Sequence, residues 1–227
     1  MKVAVIRFPG ANCDQDGYHA LREDLGIQAD YVWHEATSLA GFDGVFLPGG
    51  FSYGDYLRCG AMAARAPVMD EVRRLAAAGN PVIGVCNGFQ VLCEAGLLPG
   101  ALLLNADQKF LCQDVYIEAV DRKSIWTSGI DRVLRIPIAH GEGRYVCDQA
   151  LLLELEHDGR VAFRYVSPSG ARTAEANPNG SMDAIAGVLN EAGNILGLMP
   201  HPERACRELT GSVDGVLILR AFALVRA

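Results

Sequence analysis

The sequence predicts an α/β fold: a three-layer sandwich on a mostly parallel central sheet, with an added antiparallel β extension. Over roughly the first hundred residues, short apolar β-branched runs alternate with longer segments of helical pattern. This alternation is typical of parallel strands joined by right-handed crossovers. Further along, strand-like runs follow one another without long helices between them. That second pattern favours antiparallel pairing.

The first half of the chain contains the regular alternation. The predicted strands there are residues 3–8, 31–33, 45–47 and 81–85, and two of the predicted helices are residues 61–78 and 87–95. Another helix is expected after Asn12, because a short polar side chain commonly caps a helix. Asp14 and Asp16 would then lie in its first turn, where negative charge is favourable.

The second half of the chain is predicted to be richer in strands. These strands are residues 115–120, 133–138, 161–166, 185–189 and 195–199. The last two resemble a hairpin joined through residues 190–194, and residues 213–225 are predicted to form a closing helix. Because no repeat, low-complexity tract or flexible linker interrupts the pattern, we expect a single domain over residues 1–227.

Composition limits the classes of function. The 227 residues are 50% hydrophobic and 21% charged, with a formal net charge of −7. A nucleic-acid partner usually requires a basic surface, so none is expected. The seven cysteines form no C-x-x-C pair, which argues against a structural zinc site and favours reduced thiols. No signal peptide or membrane-length apolar run is present, so a cytoplasmic location is predicted.

The strongest chemical signal is the run Gly-Val-Cys-Asn-Gly, which lies between a predicted buried strand and a predicted helix. It has the form of a nucleophile elbow with Cys86 in the nucleophile position. Gly84 and Gly88 would remove side chains that crowd the sharp turn. The amide of Asn87 would then stabilise a developing oxyanion. The alternative is an ordinary buried cysteine between two turn glycines.

A thiol nucleophile needs a base, and the run Met-Pro-His-Pro-Glu supplies His201 and Glu203. The prolines favour an extended backbone, in which residues two apart point the same way. Glu203 would then orient the imidazole, as the third member of a triad does. The alternative is a surface histidine beside a turn. His140 is the competing candidate, and its loop is interpreted as substrate-proximal or interface-forming rather than catalytic.

The run Leu-Pro-Gly-Gly follows another predicted strand. Paired glycines at a strand end allow close approach of a ligand, so the amide of Gly50 is predicted to be the second oxyanion donor. A plain tight turn is the alternative. The sequence contains no G-x-x-x-x-G-K-[ST] phosphate loop. Any ATP used in an overall reaction is therefore expected to bind another chain.

Together these pieces resemble the class I glutamine amidotransferases, which have a G-x-C-x-G elbow, a later His-x-Glu and a flavodoxin-like fold. The resemblance implies that Cys86 is the nucleophile, His201 the base and Glu203 the third triad member. It also implies that Gly50 is the oxyanion glycine. Gln90, four residues past the cysteine, matches a position that often contacts the substrate glutamine.

Longer runs resemble one branch of that family, the glutaminase subunits of phosphoribosylformylglycinamidine synthases. The runs are residues 48–61, 84–90, 139–145 and 177–181. The resemblance implies that glutamine is the substrate and that a larger synthetase subunit, carrying ATP and Mg, uses the ammonia. It also implies a small third subunit, and neither a cofactor nor a metal in this chain.

Two alternatives of different class remain open at this point. One is a stand-alone cysteine hydrolase of glutamyl or other amide substrates. The other is a non-enzymatic binding protein with a reactive elbow cysteine, which would have no need of a carboxylate beside His201.

Overall fold

The computed structural model of the chain describes residues 1–120 and 123–224. Eleven strands in these residues form a nine-stranded sheet in the order β2-β1-β3-β4-β11-β10-β9-β6-β7 and a two-stranded sheet of β5 and β8. The strands are β1 (Lys2–Arg7), β2 (Gln28–Trp33), β3 (Gly44–Leu47), β4 (Val82–Val85), β5 (Ala101–Leu103), β6 (Leu111–Ala119), β7 (Leu134–His140), β8 (Arg144–Val146), β9 (Val161–Val166), β10 (Ile185–Leu189) and β11 (Ile195–Leu198).

Five adjoining strands of the large sheet, β2, β1, β3, β4 and β11, run parallel, and we call them the parallel half. Every residue of β3, β4 and β11 is buried. Strands covered on both faces have no solvent side, so their sequences are continuous apolar runs rather than alternating ones. This is why the sequence pattern identified them.

The other four strands, β10, β9, β6 and β7, pair antiparallel, and we call them the antiparallel half. β10 and β11 form the predicted hairpin, which joins the two halves into one continuous sheet. The predicted fold class, an α/β sandwich with an antiparallel extension, is therefore confirmed.

Six α-helices lie in the described residues, and the first continues into a π-helical turn, Ala20–Asp24. The helices are α1 (Asp14–His19), α2 (Val68–Ala77), α3 (Asn87–Glu94), α4 (Gln149–His157), α5 (Val216–Leu219) and α6 (Ala221–Leu224). Helix α3 follows β4 directly and packs against β4 and β11. It therefore fixes the orientation of the predicted elbow.

The predicted helix over residues 61–78 was too long at its start. The structure has a short 3-10 turn at Ala63–Arg65, and α2 begins only after Pro67. Ala66, the residue before this proline, is extended with ψ 145°. Proline disfavours the helical conformation in the residue before it, so the helical pattern is divided there.

Two other predictions about helices need correction, and one helix was not predicted. Asn12 does not cap α1, because Cys13 occupies the N-cap position without a side-chain cap. Helix α4 was missed, although Asp148 caps it with a bond from the amide of Leu151 at 2.8 Å. The predicted closing helix is two short helices, α5 and α6, and its last residue, 225, lies outside the described residues.

All seven cysteines lie in the described residues, and each is a free thiol. Within residues 1–120 and 123–224, no helix has both the length and the apolar character needed to cross a lipid bilayer.

Candidate active site

Three neighbouring strands of the parallel half bring the predicted site residues to one edge of the sheet. Strand β4 pairs with β3 on one side and β11 on the other. Gly50 follows β3, Cys86 follows β4 and His201 follows β11. Since parallel strands all end at the same edge, residues far apart in sequence meet there.

The elbow at Cys86 has the strained backbone that its sequence predicts. Cys86 caps α3 with φ 51° and ψ −106°, a left-handed conformation that non-glycine residues rarely adopt. A Cβ on Gly84 would lie 2.5 Å from the carbonyl oxygen of Gly88. A Cβ on Gly88 would lie 2.1 Å from the carbonyl oxygen of Leu47. Both glycines are therefore needed for the strand, turn and helix to pack this closely.

His201 and Glu203 are joined by a buried hydrogen bond of 2.7 Å between Nδ1 and Oε1. The predicted extended geometry is wrong here, because Pro202–Arg204 forms a 3-10 turn. Proline fits the start of such a turn, and the tight turn still carries Glu203 back to the imidazole. The amide of His201 also donates to the carbonyl of Pro137 at 2.8 Å, which ties this turn to β7.

Cys86 and His201 both lie close to Gly49. A Cβ built on Gly49 would be 2.7 Å from Cε1 of His201 and 3.3 Å from Cβ of Cys86. Nε2 of His201 is buried and has no hydrogen-bond partner among the described residues. The Sγ of Cys86 lies 3.7 Å from the carbonyl oxygen of Ala139. Nε2 of His201 is therefore available for a hydrogen bond with the thiol of Cys86.

The electrostatics of the pair favour a protonated imidazole. Burial opposes the charge on His201, but the carboxylate of Glu203 and the sulfur of Cys86 outweigh it and hold its pKa well above the usual value. A raised histidine pKa means that the folded structure stabilises the imidazolium form of His201.

The two predicted oxyanion residues follow adjacent strands, with Gly50 in the loop after β3 and Asn87 at the start of α3. Gly50 has φ 138°, and a Cβ there would lie 2.6 Å from the amide nitrogen of Asn12. The side chain of Asn87 is fixed at both ends: Oδ1 accepts from the amide of Ser52 at 3.2 Å, and Nδ2 donates to Oε1 of Gln90 at 2.9 Å. This side chain links the loop after β3 to α3, which sets the position of one amide relative to the other.

A cavity of about 170 Å³ opens above Cys86. Gln90 forms part of its wall, and its Nε2 donates to the carbonyl oxygen of Glu142 at 2.6 Å. Both polar ends of Gln90 are thus engaged within the protein, so it acts in the structure as a brace of the wall. The lining residues come from both halves of the sheet: Gly50, Phe51, Asp55, Cys59, Cys86, Gln90, Leu104, Phe110, Ala139, His140, Gly141 and Glu142.

The mouth of this cavity is acidic. Among the described lining residues, Asp55 and Glu142 are carboxylates, and none is a lysine or arginine. Burial, together with the negative charge of Glu142, raises the pKa of Asp55. Burial and both carboxylates raise the pKa of the Cys59 thiol that lies with them. Such a mouth attracts a cationic group.

Comparison with known proteins assigns the family. Residues 1–215 match the CobB/CobQ-like glutamine amidotransferase domain. The chain belongs to this glutamine amidotransferase family. A chain from the structure of PurLQS from Thermotoga maritima is 43% identical, with a TM-score of 0.86 over 98% of this chain and 97% of that one. A glutamine amidotransferase from Thermotoga maritima shares the fold at 16% identity, with a TM-score of 0.58 over 100% of this chain and 86% of that one.

The candidate site has a second thiol that the sequence patterns did not reveal. Cys13 is buried, and its Sγ accepts from a guanidinium nitrogen of Arg204 at 3.1 Å. Cys13, His201 and Glu203 each have one atom that could ligate a metal ion, and these three atoms lie within 4.8 Å of one another. Sulfur, imidazole and carboxylate can ligate a metal, but the hydrogen bond between His201 and Glu203 already occupies their facing atoms. Cys13 follows β1, and the pairing of β1 with β3 brings it here.

Membership of the amidotransferase family supports glutaminase activity. The arrangement is suited to it: a cysteine at a helix N-terminus, a buried imidazole oriented by a carboxylate, and a small cavity above the sulfur. These are the parts of nucleophilic catalysis at a carbonyl carbon.

Proposed function

We propose that this chain hydrolyses glutamine and supplies the ammonia to a synthetase of the phosphoribosylformylglycinamidine synthase type. The observation that carries the proposal is the strained turn at Cys86, with φ 51°, which presents a thiol to a cavity beside the buried pair of His201 and Glu203. The 43% identity to a chain of the PurLQS structure supports the choice of synthetase.

In the proposed mechanism, His201 takes the proton of Cys86, and the thiolate attacks the side-chain carboxamide carbon of glutamine. The amides of Gly50 and Asn87 stabilise the oxyanion, and one such donor contributes about 10²–10³ in rate. The protonated His201 then gives its proton to the departing ammonia, which leaves a glutamyl thioester. Water, activated by His201, hydrolyses the thioester, so that glutamine and water become glutamate and ammonia. Glu203 orients the imidazole throughout.

The cavity suits a free amino acid. Its volume of about 170 Å³ is small, so a large amide substrate would not be enclosed. The carboxylates of Asp55 and Glu142 at its mouth are complementary to an α-ammonium group. These features favour glutamine itself over a glutamine residue inside a peptide, whose nitrogen is uncharged.

An apolar rim around the mouth supports a protein partner. Phe51 is 47% exposed, Leu57 77% and Phe110 54%, and Phe51 and Phe110 also line the cavity. Large apolar side chains grouped at a functional site mark an interaction surface. We propose that a large PurL-type synthetase subunit docks here, binds ATP and Mg, and converts formylglycinamide ribonucleotide to its amidine. A small PurS-type subunit completes the proposed assembly.

Docking over the mouth would also protect the product. Ammonia released into water becomes partly protonated and loses its nucleophilicity, so a sheltered route into the partner is expected. We propose the cytoplasm as the location, since an odd number of scattered, unpaired cysteines fits a reducing compartment.

The test is co-purification of the full chain with a synthetase, followed by assays of synthesis with glutamine and with ammonia. Cys86→Ala is expected to abolish glutamine-dependent synthesis and to leave ammonia-dependent synthesis unchanged. Cys112→Ala, which changes an exposed cysteine on β6, is the matched control and should keep both activities. If Cys86→Ala retained glutamine use, the proposal would be wrong. Glutaminase turnover that no synthetase affects would favour the stand-alone hydrolase.

A further inference from the structure

His140 ends β7 and forms part of the cavity wall above Cys86. The sequence analysis interpreted its loop as substrate-proximal or interface-forming rather than catalytic. The side chain is buried, with 3% of its surface exposed. Its ring packs against Gly143, where a Cβ would lie 2.2 Å from Cε1 of the imidazole. Any side chain at position 143 would displace the ring, so this glycine fixes the ring plane.

The position of the proton on His140 follows from its partner, Asn105. Nδ2 of Asn105 lies 2.7 Å from the carbonyl oxygen of Lys109 and 2.9 Å from that of His140. Carbonyl oxygens only accept, so this end of the amide must be the nitrogen. Oδ1 therefore faces Nδ1 of His140 at 3.0 Å, and it also accepts from the amide of Gly143 at 3.0 Å. Nδ1 must then carry the hydrogen.

With the hydrogen on Nδ1, Nε2 of His140 carries a lone pair and can only accept a hydrogen bond. The atom is buried and makes no hydrogen bond within residues 1–120 and 123–224. Burial, together with the nearby charge of His201, lowers the pKa of His140 to about 4. The ring is neutral at neutral pH, so Nε2 presents a lone pair and no hydrogen. An unsatisfied buried acceptor is costly unless something in the cavity donates to it.

We propose that Nε2 of His140 accepts a hydrogen bond from the carboxamide N–H of the bound substrate and so selects an amide over the corresponding ester or carboxylate. The inference rests on the proposed glutaminase function. A carboxamide nitrogen has two hydrogens to donate, whereas an ester or carboxylate oxygen has none and would place its lone pairs against that of Nε2. The same contact would weaken the binding of the glutamate product.

The experiment compares two substrates, L-glutamine and the γ-methyl ester of L-glutamate, with the full chain and any synthetase that co-purifies. The ester can form the same glutamyl thioester but has no side-chain N–H. His140→Phe retains a planar ring and removes both nitrogens. It should lower kcat/KM for glutamine about tenfold more than kcat/KM for the ester, since one hydrogen bond is lost for glutamine alone. His157→Phe changes an exposed histidine at the end of α4 and should not alter the ratio.

A second measurement does not depend on the folding of the His140 variant. In Cys86→Ala with 15N-labelled histidine, the NMR signal of His140 Nε2 should be that of an unprotonated nitrogen. The signal should shift on addition of glutamine and not on addition of the ester.

The outcomes separate the two proposals. A wild-type chain that turns over neither compound contradicts the glutaminase function, and the inference about His140 fails with it. A wild-type chain that turns over glutamine, with an unchanged substrate ratio in His140→Phe, overturns the inference alone. An Nε2 signal that carries a proton, or that ignores glutamine, also overturns it.

Discussion

The two halves of the large sheet contribute differently to the site. The parallel half supplies Gly50, Cys86 and His201 from three adjacent strand ends. The antiparallel half supplies the opposite wall of the cavity through residues 139–142, at and after the end of β7. The comparison indicates different roles. The parallel half holds the groups proposed to react, and the antiparallel half holds His140 and Glu142, which are proposed to recognise the substrate together with Asp55 from the loop after β3. Changes to the reacting groups of the parallel half should therefore lower kcat, and changes to the recognition groups of the antiparallel half should raise KM.

The largest expected effect is at the base in the parallel half. His201→Asn removes the proposed proton acceptor and keeps a polar side chain of moderate size. Glutamine-dependent kcat should fall by about 10²–10⁴, with KM changed little. Steady-state kinetics check this, with ammonia-dependent synthesis by the partner as the control. A rise in KM at an unchanged kcat would indicate that His201 binds the substrate and does not react, which would contradict the role proposed for the parallel half.

The next effect is on folding of the elbow in the parallel half. In Gly88→Ala the new methyl group would lie 2.1 Å from the carbonyl of Leu47, so β3 or α3 must move. We expect the free energy of unfolding to fall by about 3 kcal/mol, as in other overpacked sites. Gly141→Ala is the matched control on the opposite wall, because its new methyl would meet nothing closer than Phe110 at 3.8 Å. Denaturant unfolding should separate the two variants, and equal losses would contradict the packing argument.

A third prediction concerns pH and the pair of His201 and Glu203. Because the pKa of His201 is raised in the folded state, the pair adds stability that is complete below the ordinary histidine pKa of about 6.5. That stability is lost as pH rises through the higher folded pKa. Glu203→Gln should therefore destabilise the chain by about 2 kcal/mol at pH 6, and by less at alkaline pH. Thermal unfolding at several pH values measures the stability difference between the wild-type chain and Glu203→Gln. A difference that grew with rising pH would contradict the prediction.

The smallest effect is expected in the antiparallel half. Glu142→Gln removes one charge from the mouth of the cavity and leaves the backbone carbonyl that holds Gln90. KM for glutamine should rise about tenfold, the cost of one charge-assisted contact, while kcat stays the same. Glu191→Gln, which changes an exposed carboxylate in the turn between β10 and β11, is the control. A fall in kcat without a change in KM would contradict the proposal that Glu142, in the antiparallel half, recognises the substrate.

The parallel half could be predicted from the sequence for a physical reason. Strands buried on both faces are apolar runs, and an elbow needs glycines at fixed offsets, so β3, β4 and Cys86 are visible locally. The partners Cys13 and Asn105 are not visible in this way, because only strand pairing and loop packing bring them to the site. The 3-10 turn after His201 was also missed, since proline suits an extended segment and the first turn of a helix equally well.

The most direct test of the proposed chemistry is mass spectrometry of the full chain, quenched in acid within milliseconds to seconds of mixing with glutamine. We predict one glutamyl group as a thioester on the peptide that contains Cys86, and none on that peptide in Cys86→Ala. Glutamate formation without that adduct, or an adduct on Cys13 in its place, would contradict it.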